Sequence, residues 1–240
     1  GNCLFNYDFR YPGPLTLRYA LGASRNVPAV KAMLTVGVDK TIQTAEGLGL
    51  KSGYKCYSDE KLTQTTQCYG AAAIGDGAFL RLDEHVHGFA TSSRYGKNIP
   101  QTYIMQILDS EGKEKYKWEK TEGNQAVRDD TAYIVTNMLS DPNASYFPAG
   151  NKIQRYNGWN FALKTGTTND AKDGWLMGTS TKYAAGDWVG HHTRRVEMRG
   201  FMETMTRPIW NNWMRAAHDK AGEPKNWNEP NGIKKSTAYV

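Results

Sequence analysis

The chain has 240 residues, 39% of them hydrophobic and 12% aromatic, and a net charge of +6. That length supports one substantial core rather than two small ones, and no apolar run is long enough to span a bilayer. The basic residues are scattered and form no stripe with interleaved aromatics, which argues against nucleic acid as a partner; a mildly basic surface suits anionic lipids and polymers equally well.

Thr16 can cap a first helix through Leu17, Ala20 and Leu21, and Pro28 fits the first turn of a second helix carrying Val30, Met33 and Leu34. Ser24-Arg25-Asn26 then falls at the junction between the two. A third helix is expected over residues 39–48, stopped by Gly47 and Gly49. Cys56 and Cys68 flank a polar segment and could close a short surface loop in an oxidising compartment, with Cys3 left odd; three unpaired thiols are the equal alternative. His85-x-His87 and His191-His192 lack the Cys or carboxylate partners that a zinc site needs, so no metal or other cofactor is expected.

Residues 102–108 alternate like a strand, and the turn Asp109-Ser110-Glu111-Gly112 returns the chain through Tyr116 and Trp118 as a hairpin. Ala132, Val135, Met138 and Leu139 fall on one helical face after an Asp129-Asp130 cap. Three strands follow, over 161–167, 175–181 and 184–191; their short polar turns favour antiparallel pairing, because parallel strands need a crossover. Pro208 is expected to start a helix whose stripe of Trp210, Trp213, Met214 and Ala217 covers one face of that sheet. Residues 221–240, rich in Gly, Pro, Asn and Lys, read as a trailing linker with a short strand at its end, leaving 1–220 as the folded unit.

Two motifs carry chemistry. Lys164-Thr165-Gly166-Thr167-Thr168 follows a strand-like run from Trp159 to Leu163 and precedes Asp173-Gly174-Trp175. It puts an ammonium, a flexible backbone and hydroxyls on one edge strand, a set that can hold a carboxylate and polarise a carbonyl together. Ser24-Arg25-Asn26, followed by Val27-Pro28-Ala29-Val30, has the S-x-N form that accompanies K-T-G in acylating serine enzymes. Alone, each also fits a commonplace: K-T-G a strand end with a glycine turn, S-x-N a helix cap. Their order and context give them weight.

With its flanking sequence the chain resembles the transpeptidase domain of the bifunctional, class A penicillin-binding proteins. Asn6-Tyr7-Asp8, then Tyr11-Pro12-Gly13-Pro14-Leu15-Thr16-Leu17-Arg18 and Ala20-Leu21-Gly22-Ala23, is similar to the family's approach to its S-x-N turn. Downstream, Lys164 to Asn169, Asp173 to Trp175 and Trp188-Val189-Gly190 are similar to its K-T-G strand and the two strands after it. The fold this implies is α+β, the β-lactamase-like architecture with an antiparallel sheet between helical layers. The family's nucleophile is the Ser of an S-x-x-K that precedes S-x-N, and no such string precedes Ser24 here. Three occur later, at Ser52, Ser58 and Ser110, in polar, turn-like sequence unfit to hold a nucleophile beside its base. The chain is therefore expected to begin inside the domain, after the nucleophile helix and the first strands.

The resemblance assigns roles. Ser24 is the proton relay to the leaving group, assisted by the Lys164 ammonium, and Asn26 orients the nucleophile's lysine and meets the substrate amide. Thr165 and Thr167 offer hydroxyls to the carboxylate of a D-Ala-D-Ala stem peptide, or of a β-lactam that mimics it. The Thr167 N–H supplies half of the oxyanion hole, and Gly166 lets the acyl group approach the strand. Trp175 is expected to pack rather than stack on substrate. The resemblance further implies an upstream glycosyltransferase domain and membrane anchor, and a place on the outer side of a bacterial membrane. Two enzymes of related chemistry, a D,D-carboxypeptidase and a β-lactam hydrolase, share these motifs; Arg25 stands where the common hydrolase class has Asp. A non-catalytic penicillin-recognising sensor would be marked by absence of S-x-x-K from the whole gene.

Overall fold

The computed structural model describes residues 3–52, 70–75, 79–147, 152–192, 196–198 and 202–237. In chain order, α1 (Leu17–Gly22), α2 (Asn26–Val36) and α3 (Val38–Gly47) precede a 3-10 turn (Gly70–Ile74) and α4 (Leu82–Ser93). Next come β1 (Lys97–Asn98), β2 (Gln106–Leu108), β3 (Glu114–Lys117), β4 (Asn124–Gln125) and α5 (Asp129–Leu139). The last part holds β5 (Arg155–Tyr156), β6 (Trp159–Asn160), β7 (Ala162–Thr167), β8 (Asp173–Thr179), β9 (Ala184–Gly190) and α6 (Met202–His218).

The centre is the antiparallel sheet β7-β8-β9, with the K-T-G strand at one edge. Pleating puts Leu163, Leu176 and Gly178 on one face and Lys164, Trp175 and Met177 on the other. The first face packs on α6: a Cβ added to Gly178 would lie 2.4 Å from Trp210 Cζ2, and Trp210 Nε1 donates to the Ala185 carbonyl at 3.0 Å. The second packs on α4: a Cβ on Gly186 would meet Val86 Cγ2 at 2.6 Å, and the His85 ring lies 6.0 Å from that of Trp175. A sheet between helical layers is thus the architecture, as the sequence led us to expect. Its main core joins Phe147, Trp159, Phe161, Leu163, Leu176, Trp210 and Met214, each large side chain contributing about 1.5–3 kcal/mol by leaving water.

The first helices stand where the sequence puts them. Thr16 caps α1 by accepting from Tyr19 N, Pro28 lies in the first turn of α2, and Gly37, at φ +99°, divides α2 from α3. The hairpin also forms, with Ile107 opposite Tyr116, although its first strand pairs only over Gln106–Leu108.

Four expectations change. Pro208 lies within α6 rather than at its start; a proline costs the helix one ladder bond, which the burial of Thr206, Trp210, Met214 and His218 along one face offsets. That face has i, i+4 spacing, so Trp213 falls outside it and is half-exposed. The cap of α5 is Arg128, and Asp129 and Asp130 occupy the first turn, where their charge complements the helix dipole. The buried side of α5 is Ala132 and Thr136, with Val135, Met138 and Leu139 only half-buried.

Beyond α6, the described residues carry no regular element, yet they are tied to the C-terminal end of α4. Trp227 Nε1 donates to the Ser93 carbonyl at 3.1 Å, and the Tyr95 hydroxyl accepts from Asn228 N at 2.8 Å. The strand expected at the chain's end, Cys56, Cys68 and Ser58-Asp59-Glu60-Lys61 lie outside the described residues; Cys3 is an exposed free thiol.

Candidate active site

Ser24 owes its position to the way α1 stops. Ser24 N donates to Leu21 O at 3.0 Å and Arg25 N to Ala20 O at 2.9 Å, the paired bonds of a Schellman helix end. The residue at the centre of that motif must adopt a left-handed conformation, and Ser24 does so at φ +53°. Glycine is the usual occupant, and a side chain there costs about 1 kcal/mol. The hydroxyl is thus held on a rigid turn at an energetic cost. The turn is further stitched to the chain before it. Arg25 pairs with Asp8 at 2.7 Å, Asn6 Oδ1 accepts from Val27 N at 3.2 Å, and Asn26 Nδ2 donates to the Phe5 carbonyl at 2.9 Å. The Arg25 guanidinium lowers the Asp8 carboxyl below the usual range through the same hydrogen bond.

Across 140 residues of sequence, the Lys164 ammonium reaches this turn: Nζ donates to Ser24 Oγ at 2.6 Å and to the Thr165 carbonyl at 2.9 Å. Burial pushes the Lys164 pKa down from 10.5 to about 8. Close to neutrality the group is therefore mostly charged but within reach of proton exchange, the range in which a lysine can take part in transfer.

Thr165 and Thr167 share one face of β7, as period two requires, while Lys164 and Gly166 stand on the other. Thr165 is half-buried and its Oγ1 lies 2.8 Å from the Tyr146 hydroxyl; Thr167 is exposed at the open end of the strand. Lys164, Thr165, Tyr146 and Gly22 line one small cavity, so groups from both faces of this edge strand border the same space. A Cβ on Gly166 would meet the Trp175 side chain at 3.5 Å, an ordinary contact, so packing among the described residues does not demand a glycine there. Trp175 itself packs between His85 and Trp188. The turn after the motif is clamped. Thr168 Oγ1 accepts from Asp173 N at 2.8 Å and bonds Asp173 Oδ2 at 3.0 Å, while Trp188 Nε1 donates to Asp173 Oδ1 at 3.1 Å.

Of the residues singled out by sequence, Ser24 and Lys164 meet directly, Thr165 and Gly166 flank them, and Asn26 is engaged by the Phe5 carbonyl. The other described candidates stand elsewhere in the fold. Ser52 Oγ donates to Glu84 at 2.5 Å, Ser110 sits in the β2–β3 turn, His87 Nε2 lies 2.7 Å from Asn98 Oδ1, and His191 stacks on His192. Tyr146 had no signal in the sequence, and Gly22 stood out only as part of the stretch before S-x-N. Gly22 lets α1 touch the 141–147 connection, since a Cβ there would lie 2.3 Å from the Ala144 carbonyl oxygen, and Tyr146 belongs to that connection.

The family model of the penicillin binding protein transpeptidase domain matches residues 5–195. Penicillin-binding protein 1A of Streptococcus pneumoniae is 28% identical over 256 residues, covering 99% of this chain and 33% of that protein. Penicillin-binding protein 1A of Clostridium perfringens is 30% identical over 235 residues, 94% of this chain and 26% of that protein. The chain therefore spans about a third or less of the length of these relatives. Among solved structures, PonA1 of Mycobacterium tuberculosis in complex with penicillin V superposes with a TM-score of 0.80 at 19% identity, over 96% of this chain and 63% of that one. Penicillin-binding protein 1A of Haemophilus influenzae does so with a TM-score of 0.77 at 22% identity, over 95% and 38%. Among the described residues, no helix is long and apolar enough to cross a membrane. A serine on a left-handed turn bonded to the lysine of a K-T-G edge strand, within a sequence matched along most of its length, shows that this chain belongs to the transpeptidase domains of the class A penicillin-binding proteins.

Proposed function

We propose that the chain forms part of a D,D-transpeptidase that cross-links peptidoglycan stem peptides by serine acyl transfer, and that β-lactams acylate the same centre. The observation that carries this reading is the 2.6 Å bond between Lys164 Nζ and Ser24 Oγ. The acylated serine, with its own lysine as base, comes from an S-x-x-K outside these 240 residues. Its oxygen attacks the carbonyl of the penultimate D-alanine. The departing terminal D-alanine amine takes its proton from Ser24 Oγ, which is replenished through Lys164, and the acyl group then passes to an acceptor amine.

The remaining residues hold charge. The Lys164 ammonium and the Thr165 and Thr167 hydroxyls bind the terminal carboxylate at the strand edge, and the Thr167 N–H donates to the oxyanion. Gly166 keeps side-chain volume away from the acyl group, Asn26 Oδ1 accepts from the substrate amide, and Trp175 stiffens the strand beside them. The place of action is the outer side of a bacterial membrane, with a glycosyltransferase domain and an anchor elsewhere in the polypeptide.

In the polypeptide that includes the S-x-x-K serine, Lys164→Ala and Ser24→Ala should each slow acylation by a fluorescent penicillin about a hundredfold or more, the scale of losing a positioned proton-transfer group. Rates for both variants within about threefold of the parent would overturn the assignment.

A further inference from the structure

The residue that joins the two motif-bearing elements is neither in S-x-N nor in K-T-G. Tyr146 N donates to the Gly22 carbonyl at 3.2 Å, which ties it to the end of α1 two residues before Ser24. Its hydroxyl lies 2.8 Å from Thr165 Oγ1, one residue after Lys164. Its ring is packed between Tyr7, at 6.2 Å, and Phe147, at 4.8 Å, and the Arg25 guanidinium lies over Tyr7. The ring is thus fixed from both sides, with its hydroxyl aimed at the K-T-G strand.

We infer that Tyr146 is a positioning residue for carboxylate recognition, holding the Thr165 hydroxyl so that its proton is presented to the substrate. A threonine hydroxyl has one proton to give and lone pairs to accept with. A phenol is the stronger donor of the two hydroxyls, so Tyr146 O–H donates to Thr165 Oγ1 and leaves the Thr165 proton for a carboxylate oxygen. Without the phenol, the Thr165 rotor is free to turn its proton elsewhere. This deepens the proposed function and rests on its reading of Thr165 as a carboxylate donor.

The test uses the polypeptide that includes the S-x-x-K serine, with two matched substrates: a penicillin with its free carboxylate and the same penicillin as its carboxyl methyl ester. The measured quantity is the ratio of their acylation rates, which cancels any loss of folded enzyme. Thr165→Val should cut the preference for the carboxylate about tenfold or more, Thr165→Ser should keep it, and Tyr146→Phe should cut it about three- to tenfold. Tyr146→Phe should add nothing in the Thr165→Val background, because both changes remove one interaction. If Thr165→Val cuts the preference and Tyr146→Phe does not, the inference about Tyr146 is wrong while the reading of Thr165 stands. Equal slowing of both substrates by Tyr146→Phe would also overturn it, because that pattern marks a general structural role. A preference unchanged by Thr165→Val would overturn the reading of Thr165 itself, and the inference with it.

Discussion

Replacing Lys164 by methionine should reveal a pH-dependent stability difference fixed by the lysine's burial. The fall of its pKa from 10.5 to about 8 means that the folded protein holds this proton less tightly than the unfolded chain. One pKa unit is about 1.4 kcal/mol, so the charged form disfavours the fold by about 3 kcal/mol. Below pH 8 both states carry the proton and the penalty is complete; from pH 8 to 10.5 the folded state sheds it first, stability rises, and the penalty fades. Lys164→Met removes the titrating group. It also loses the bonds to Ser24 Oγ and the Thr165 carbonyl, a cost that does not vary with pH across this window. The sign of the difference at one pH is therefore not diagnostic, but its change is. In urea unfolding of the chain at pH 7 and pH 10.5, the stability of Lys164→Met relative to the parent should drop by about 3 kcal/mol between the two. A change below about 1 kcal/mol would refute the buried-ammonium account, and with it the view of Lys164 as a group poised near neutrality.

The 240-residue chain by itself should take up no covalent fluorescent penicillin; a labelled band that disappears on replacing Ser52, Ser58 or Ser110 would show that the nucleophile is one of these. Asp187 has both carboxylate oxygens buried without a partner among the described residues, and burial raises its pKa to about 7. The unfolded chain ionises near 3.8, so the penalty is complete above pH 7 and gone below pH 4; Asp187→Asn should raise the melting temperature at pH 8 and leave it nearly unchanged at pH 4. Gly178→Ala would drive a methyl to 2.4 Å from the Trp210 ring and should lower stability by about 1–3 kcal/mol in the same urea assay, while Gly222→Ala, with open space around it, should change stability by less than about 0.5 kcal/mol.

Local pattern carried much of the fold. Thr16, Pro28 and Gly49 punctuate the first helices because capping and left-handed turns depend on the few residues beside them, and the meander follows from strands joined by turns too short to cross over. The helix around Pro208 departs from its local pattern for the complementary reason. Proline reads locally as a start, but a long-range layer of Trp210, Met214 and His218 against the sheet sustains a helix through it. That register also decides that Trp213 faces outward.

In the site, the residue types and their order in the chain were legible, because acyl transfer needs an ammonium, hydroxyls and a close-approach backbone whatever the fold. Their meeting was not. Ser24 and Lys164 are 140 positions apart, and only the packing of α1 on α5, and of α5 on the K-T-G strand, brings them to 2.6 Å. Tyr146 had no motif to announce it: it lies in a connection, and its significance comes from touching Gly22 on one side and Thr165 on the other. Which chemistry the chain can carry is written in its residues, since side-chain types and short-range turns are local properties. Tertiary structure alone decided how deeply Lys164 is buried, and hence its proton affinity, because desolvation depends on neighbours that the chain brings together only when it folds.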